Sequence, residues 1–203
     1  MAANRPSSLA QFPLMAAVLV PGFYFGAQVL ALPFFPGYSV TRDVASLLGT
    51  ANSHDPWIFN LGAILTGIAA LVGAFGLFQA FRDRANIFLA ALIAISLAAT
   101  GIVSIRAGLF PMPDSRHGDW GFLSSFTVAC PILFLLGMWR TKGATAIRLY
   151  LVGCALLILC LVPFLMHRVH SEALPAGTLQ RLLAFAAFTP IGVVGYYFSR
   201  ADR

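Results

Sequence analysis

Residues that can do chemistry are concentrated in three connections between long apolar stretches. The second connection, LFPMPDSRHGDWGF at residues 109–122, contains Asp114, Arg116, His117 and Asp119. If DSRH forms a helical turn, Asp114 and His117 share a face, because residues three apart are neighbours on a helix. Carboxylate and imidazole groups can hold a zinc ion together, and guanidinium groups bind carboxylates or phosphates through paired hydrogen bonds. This connection therefore offers either metal ligation or anion binding.

Arg106 lies about one turn before the third apolar stretch ends. A charged side chain inside hydrocarbon costs roughly 2.5 to 3.5 kcal/mol on insertion scales, so it usually faces protein or water. An arginine near a helix end can instead extend to the membrane interface. Arg106 is thus a candidate for a pocket inside the bundle, with interfacial exposure as the alternative.

The first connection, FFPGYSVTRDVASLLGTANSHDPW, predicts a short amphipathic helix. Thr41 can cap a helix that runs from about Arg42 to Leu48, and Gly49 would stop it. At 3.6 residues per turn, Arg42, Asp43 and Ser46 share the polar face. Such a helix suits the membrane surface, and its polar face either points into a central pocket or stays exposed.

The third connection, MHRVHSEALPAGTLQRLL, places His167 and His170 three residues apart. Thr178 can cap the sixth helix, which leaves Gln180 and Arg181 in its first turn. A cation there opposes the helix dipole, so Arg181 does not stabilise the helix. We expect it to pair with a carboxylate, Asp43 or Asp114, in preference to extending toward lipid headgroups.

The elements that must position these residues are membrane-spanning helices. The chain is 59% hydrophobic and 10% charged, with a mean hydropathy of +0.84, whereas a soluble domain carries roughly 25% charged residues. Six apolar runs each approach the ~20 residues needed to cross a ~30 Å hydrocarbon layer. The sequence predicts an all-α membrane protein, a single domain over residues 1–203, with spans at about 12–35, 57–81, 87–110, 120–139, 147–166 and 180–198.

The charges in the loops predict the orientation. Six spans place eight lysines and arginines with the termini and five arginines opposite, which favours cytoplasmic termini in the cell inner membrane. All four histidines, His54 among them, and most acidic residues fall on the other side. The net charge of +6 comes from scattered arginines without interleaved aromatics, so nucleic acid is not expected as a partner.

The three cysteines, Cys130, Cys154 and Cys160, all lie in predicted spans. An odd count without CxxC spacing argues against a disulfide framework and against a cysteine zinc site. We expect them to pack as small apolar groups.

The stretches TRDVASLLG, LFPMPDSRHGD and GTLQR resemble the six-helix membrane proteins of the Domain of Unknown Function 998 family. That family has an S/T-R-D-x-x-S-x-x-G stretch, an FP-x-x-D stretch followed by a histidine, and a Q-R or E-R pair near the end. The spacing between Asp114 and His117 is shorter here than in the family pattern. The resemblance implies architecture rather than a reaction, and it implies a shared polar set: Arg42, Asp43, Ser46, Gly49, Pro111, Asp114, His117, Gln180 and Arg181.

The function expected from these observations is binding in preference to catalysis, and no cofactor is expected. An outward polar pocket would hold an anionic lipid headgroup or a small solute, with guanidinium groups as donors. The predicted ligand-binding residues are Arg42, Asp43, Ser46, Arg106, Asp114, His117, Gln180 and Arg181.

Three alternatives remain open. His117, His167 and His170, with Asp43 or Asp114, could hold zinc in a lipid hydrolase, and Ser46 with His117 could form a nucleophilic pair. Haem would need histidines facing each other within spans, and these lie at span ends. The third alternative is an accessory subunit without a ligand, which packs against another membrane protein through small residues such as Gly67 and Gly192.

Overall fold

The computed structural model describes residues 8–117, 121–165 and 174–201, and most of these are α-helical. The six α-helices are α1 (Ser8–Ala31), α2 (Pro56–Arg82), α3 (Ile87–Leu109), α4 (Gly121–Met138), α5 (Thr145–Leu165) and α6 (Ala176–Ala201). Two 3₁₀ helices, Leu32–Phe34 and Ala45–Gly49, lie between α1 and α2. The part of the chain that the structure describes contains no β-strand.

Five of the six helices, all but α4, are long and apolar enough to cross a membrane. The apolar part of α4 within the described residues is shorter and runs from Ser125 to Met138. Two of the helices begin at a start signal in the sequence. Pro56 occupies the first turn of α2, and the side chain of Asn86 caps α3 by accepting a hydrogen bond from the Leu89 amide at 2.8 Å. The apolar helices indicate a multi-pass membrane protein.

Neighbouring helices run antiparallel and approach closely at small residues. A Cβ placed on Gly62 would lie 2.1 Å from the Cβ of Ala27, and one on Gly73 would lie 2.9 Å from that of Ala17. The first contact joins the end of α1 to the start of α2, and the second joins the first half of α1 to the second half of α2. Between α2 and α3, a Cβ on Gly67 would lie 2.4 Å from the carbonyl oxygen of Gly101, so only glycine permits this spacing.

The packing of α6 closes the bundle. It lies against α1, α4 and α5, and a Cβ on Gly192 would lie 2.8 Å from the Pro21 ring. Consequently α1, α3 and α5 end, and α2, α4 and α6 begin, at the same end of the bundle, which we call the loop end. The opposite end, where α1 begins and α6 finishes, is the terminal end.

The first connection differs from the predicted amphipathic helix. Residues 40–42 form a turn, and the helical part is the 3₁₀ segment Ala45–Gly49, preceded by Val44 without a side-chain cap. The Asp43 carboxylate accepts the Ser39 amide at 2.8 Å, which stabilises a turn in place of an α-helix from Arg42. Leu48 is fully buried and packs in a cluster with Ala31 and Phe59. The segment therefore lies within the bundle and not on its surface.

The sixth helix begins earlier than the sequence predicted. It starts at Ala176, so Thr178 lies inside its first turn and is not the residue that precedes the helix. The early start is possible because main-chain oxygens of the first connection accept the hydrogen bonds of the first amides of α6.

Candidate ligand-binding site

A cavity of about 350 Å³, partly open to the surroundings, lies in the loop half of the bundle. We call it the loop-end cavity. It is lined by α1, α2, α3, α4 and α6, by the 3₁₀ segment Ala45–Gly49 and by His117, and none of its described lining residues belongs to α5. Ligand pockets occupy about 300 to 1,000 Å³, so this cavity is at the small end of that range.

Most of the lining is apolar and made of small side chains. Six alanines line it, together with aromatic rings from three helices. Tyr24 of α1 and Phe188 of α6 stack with ring centroids 4.3 Å apart and form one wall. No aspartate, glutamate, lysine or arginine is among the described residues that line the cavity.

Six polar side chains other than Tyr24 interrupt this apolar surface, namely Ser46, Thr100, Ser104, His117, Thr127 and Gln180. Some of these side chains already form hydrogen bonds within the protein. The hydroxyls of Thr100 and Thr127 lie 2.9 Å apart, and Thr100 is 2.9 Å from the carbonyl oxygen of Ser96. The Oε1 atom of Gln180 accepts the Ala45 amide at 2.6 Å, which leaves the Gln180 amide nitrogen with two N–H donors.

His117 has a defined tautomer. Its Nδ1 atom lies 2.8 Å from the carbonyl oxygen of Phe110. Because a carbonyl can only accept, Nδ1 carries a proton and donates it, and in the neutral imidazole Nε2 is then an acceptor. The cavity lining thus includes an imidazole acceptor, amide donors and hydroxyls, a set that suits an uncharged hydrogen-bonding group.

The start of α6 is fixed to the first connection by what we call the α6 clamp: Gly177, Thr178, Gln180 and Arg181. The Gly177 amide donates to the Arg42 carbonyl at 3.2 Å, and the Thr178 amide donates to the Thr41 carbonyl at 2.8 Å. These two carbonyls accept hydrogen bonds from amides at the start of α6, which have no acceptor within the helix. A Cβ on Gly177 would lie 2.4 Å from the Asp43 carbonyl oxygen, so the clamp requires glycine at this position.

Arg181 completes the clamp through main-chain oxygens. Its Nη1 atom donates to the carbonyls of Val40 and Asp43 at 2.5 and 2.9 Å, and its Nη2 atom donates to the Tyr38 hydroxyl at 2.5 Å. The predicted partner was a carboxylate of Asp43 or Asp114, but the hydrogen bond to Asp43 goes to its backbone. Burial raises the pKa of Tyr38, although the nearby Arg181 charge acts in the opposite direction.

The side chain of Asp43 contacts residues of its own connection. Its carboxylate accepts from Ser39 N–H and lies 3.3 Å from Nε of Arg42, whose side chain is 70% exposed. The Ser39 hydrogen bond lowers the pKa of the Asp43 carboxyl, and the Arg42 contact adds to that effect. Both side chains therefore stabilise the turn and do not line the cavity.

The second connection forms a separate cluster of hydrogen bonds, of which His117 lines the cavity. The His117 amide donates to the Asp114 carbonyl at 2.9 Å, so the predicted turn over DSRH is present. The Asp114 carboxylate instead pairs with Arg116, at 2.7 and 3.0 Å, and these hydrogen bonds lower the carboxyl pKa to about 2. Arg116 also stacks on Phe110, and Arg106 donates to the Arg116 carbonyl at 2.5 Å.

The eight predicted binding residues thus fall into three places. Ser46, His117 and Gln180 line the loop-end cavity. Arg42, Asp43 and Arg181 belong to the clamp and its turn, and Arg106 and Asp114 belong to the second connection. The zinc candidates His167 and His170 lie outside the described residues. Within the described ranges, no three histidine, cysteine or acidic side chains are close enough to hold a metal.

Four polar lining residues were missed from the sequence, namely Tyr24, Thr100, Ser104 and Thr127. A signal for two of them was available. Thr100, Ser104 and the small residue Ala107 follow one another at helical spacing in α3, which marks a polar stripe inside an apolar span. Tyr24 and Thr127 carry no comparable pattern.

Comparison with known proteins gives a family and no activity. A family model described as Protein of unknown function (DUF998) matches residues 18–197, which includes every residue named in the cavity and the clamp. No curated protein and no solved structure matches this chain.

Proposed function

The chain belongs to the family described as Protein of unknown function (DUF998), and we propose that it is a membrane protein that binds a small, uncharged amphipathic molecule in the loop-end cavity. The single observation that carries this proposal is a cavity of about 350 Å³ whose described lining is apolar, interrupted by hydroxyl, amide and imidazole groups. A ligand with an apolar body and a neutral hydrogen-bonding group matches that lining.

The proposed topology has six spans. The 18 residues of α4 (Gly121–Met138) give about 27 Å of helix at ~1.5 Å per residue, close to the ~30 Å of a hydrocarbon core. Eight lysines and arginines with the termini against five arginines opposite support cytoplasmic termini in the cell inner membrane. The loop-end cavity would then face outward.

The volume of the cavity limits the size of the ligand. A cavity of ~150 Å³ lined by apolar side chains binds benzene, so about 350 Å³ accommodates a molecule of roughly twice that volume. An anionic headgroup, which the sequence suggested, is less well supported. Arg106 and Arg181 direct guanidinium nitrogens to main-chain oxygens, and no charged side chain is among the described lining residues. We therefore favour the small solute over the anionic headgroup.

Two amphiphiles that differ in charge test the proposal. The purified chain in lipid nanodiscs is heated with increasing 1-decanol or with decanoate, and the melting temperature is followed. We expect 1-decanol to raise the melting temperature at saturation, and decanoate to have a much smaller effect, because an ionised carboxylate would have to be buried among uncharged groups.

Two half-buried alanines of α3 give a matched pair of variants. Ala107 lines the cavity and Ala98 does not. Ala107→Leu should abolish the stabilisation by 1-decanol because the longer side chain occupies the cavity, and Ala98→Leu should retain it. Equal responses of both variants, or a stronger effect of decanoate than of decanol, would overturn the proposal.

A further inference from the structure

A second concave surface lies at the other end of the molecule. It is a groove of about 670 Å³ between α1, α5 and α6, which we call the terminal-end groove. Val18 and Pro21 of α1 and Ile147 of α5 line its sides, and α6 contributes residues from Thr189 to Arg200. None of these residues lines the loop-end cavity.

The groove has the length of one membrane leaflet. Thr189 and Arg200 are eleven residues apart on α6, which corresponds to about 16 Å along the helix axis at ~1.5 Å per residue. Half of a ~30 Å hydrocarbon core is about 15 Å. A single acyl chain in one leaflet therefore spans the groove from its deep part to its charged end.

The deep part of the groove presents hydrocarbon. The Thr189 hydroxyl donates to the Phe185 carbonyl at 2.6 Å and also contacts the Tyr150 hydroxyl, so it needs no external partner. Val193, 37% exposed, presents its side chain beside it. Acyl chains fit such a surface because no unsatisfied polar group has to be covered.

The shallow part of the groove is cationic. Arg200 is the only charged residue among those that the structure describes in the lining. It is exposed, with its guanidinium 5.2 Å from the centre of the Tyr196 ring. Among the described residues at the terminal end, six basic side chains accompany a single acid, Asp83. An anion at this end meets net positive charge, and a guanidinium can donate two hydrogen bonds to a phosphate.

We propose that the terminal-end groove binds an anionic phospholipid of the adjoining leaflet, with an acyl chain along α6 and its phosphate at Arg200. The occupant is a lipid, not a peptide or a second copy of the chain, because the apolar part matches one leaflet in length and the charge lies at one end only. This site does not depend on the loop-end cavity or on its ligand.

The test is lipid retention measured by native mass spectrometry of the full chain in mixed micelles. Phosphatidylglycerol and phosphatidylcholine with the same acyl chains are offered at equal concentration. One basic residue near a membrane surface contributes ~1 kcal/mol toward an anionic lipid, so we expect a preference for phosphatidylglycerol of about fivefold. Arg200→Gln should remove this preference, and Arg200→Lys should retain most of it.

Two controls separate the groove from general attraction to a basic surface. Arg140 is exposed at the same end but does not line the groove, so Arg140→Gln should keep the preference. Val193→Trp should fill the groove and lower retention of both lipids, whereas Val152→Trp should not, since Val152 is 36% exposed on α5 and does not line the groove. Equal effects within either pair would overturn the proposal.

Discussion

The two halves of the helix bundle are built from the same six helices but are packed in opposite ways. At the terminal end, Phe81, Phe134 and Phe198 are almost completely buried, with Phe81 4.9 Å from the Phe198 ring and 6.1 Å from the Phe134 ring. At the loop end, corresponding space between the helices is lined by alanines and remains a cavity. Side-chain volume, and not helix arrangement, therefore determines where the interior of this bundle is hollow.

The two halves also differ in how they are held together. Ring packing dominates the terminal half, where even a Cβ on Gly137 would lie 2.5 Å from Phe81. The loop half depends on hydrogen bonds between a connection and the start of α6, with Arg181 at their centre. Dense packing resists changes in volume, whereas a hydrogen-bonded rim can surround an unfilled space. The interior of the loop half is thus suited to holding a ligand between the helices, and the interior of the terminal half to stability.

The largest expected effect is on the aromatic core of the terminal half. Phe81→Ala removes a fully buried ring between two others, and such truncations cost about 3 to 5 kcal/mol. We expect a loss of this size in the free energy of unfolding, measured by denaturant titration in micelles. Phe75→Ala is the control on the same helix, because Phe75 is 59% exposed. A similar loss for Phe75→Ala would show that ring burial does not stabilise this half.

The next prediction compares the loss of stability when a larger side chain is introduced into each half. Ala90, fully buried in the terminal half, and Ala184, 6% exposed on the cavity wall, provide the pair. Ala90→Leu should reduce the free energy of unfolding by about 1 to 3 kcal/mol because it overpacks a filled core. Ala184→Leu should cost clearly less, since its side chain can enter the cavity. Equal losses in the same unfolding titration would mean that the loop half is no emptier than the terminal half.

The positions of the helices could be predicted because a membrane imposes a simple rule on sequence. Long apolar runs must become helices in hydrocarbon, and six such runs predicted α1 to α6 to within a few residues at most ends. The 3₁₀ segment Ala45–Gly49 could not be predicted, since it depends on a tertiary contact. The periodicity from Arg42 to Leu48 fits an α-helix. In the fold, however, the carbonyls of residues 40–43 accept hydrogen bonds from α6, and the local sequence does not show this contact.

The candidate site was predictable only in part for a related reason. Polar residues in connections stand out against an apolar sequence, and this feature made candidates of Ser46, His117 and Gln180, which line the cavity. Arginines stand out most, yet Arg106 and Arg181 bond to main-chain oxygens, which sequence cannot reveal because any residue supplies a carbonyl. The cavity itself arises from small side chains on five helices, and their convergence is a property of the fold.

A third test concerns the hydrogen-bonded rim of the loop half. In Gly177→Ala, the added methyl group would lie 2.4 Å from the Asp43 carbonyl oxygen and 2.8 Å from two more, so the α6 clamp must shift. We expect a loss of about 1 to 2 kcal/mol in the free energy of unfolding, together with weaker stabilisation by 1-decanol. Gly153→Ala is the control, because no heavy atom lies within 4 Å of its added Cβ. Unchanged stability and decanol response in Gly177→Ala would contradict a role for the clamp in shaping the cavity.

The smallest effect concerns the pairing of Asp114 with Arg116. The carboxyl pKa falls from 3.8 to about 2 on folding, mainly because Arg116 donates to the carboxylate. A group whose pKa is depressed stabilises the folded state above its unfolded pKa and loses that contribution as the pH falls through the folded value. The wild type should therefore have a slightly higher melting temperature than Asp114→Asn at pH 7, and the difference should disappear between about pH 4 and pH 2.

Because the Arg116 side chain is 62% exposed, high salt should also reduce this difference in melting temperature. A difference between wild type and Asp114→Asn that persisted unchanged at pH 2, or in concentrated salt, would mean that the ion pair is not its cause.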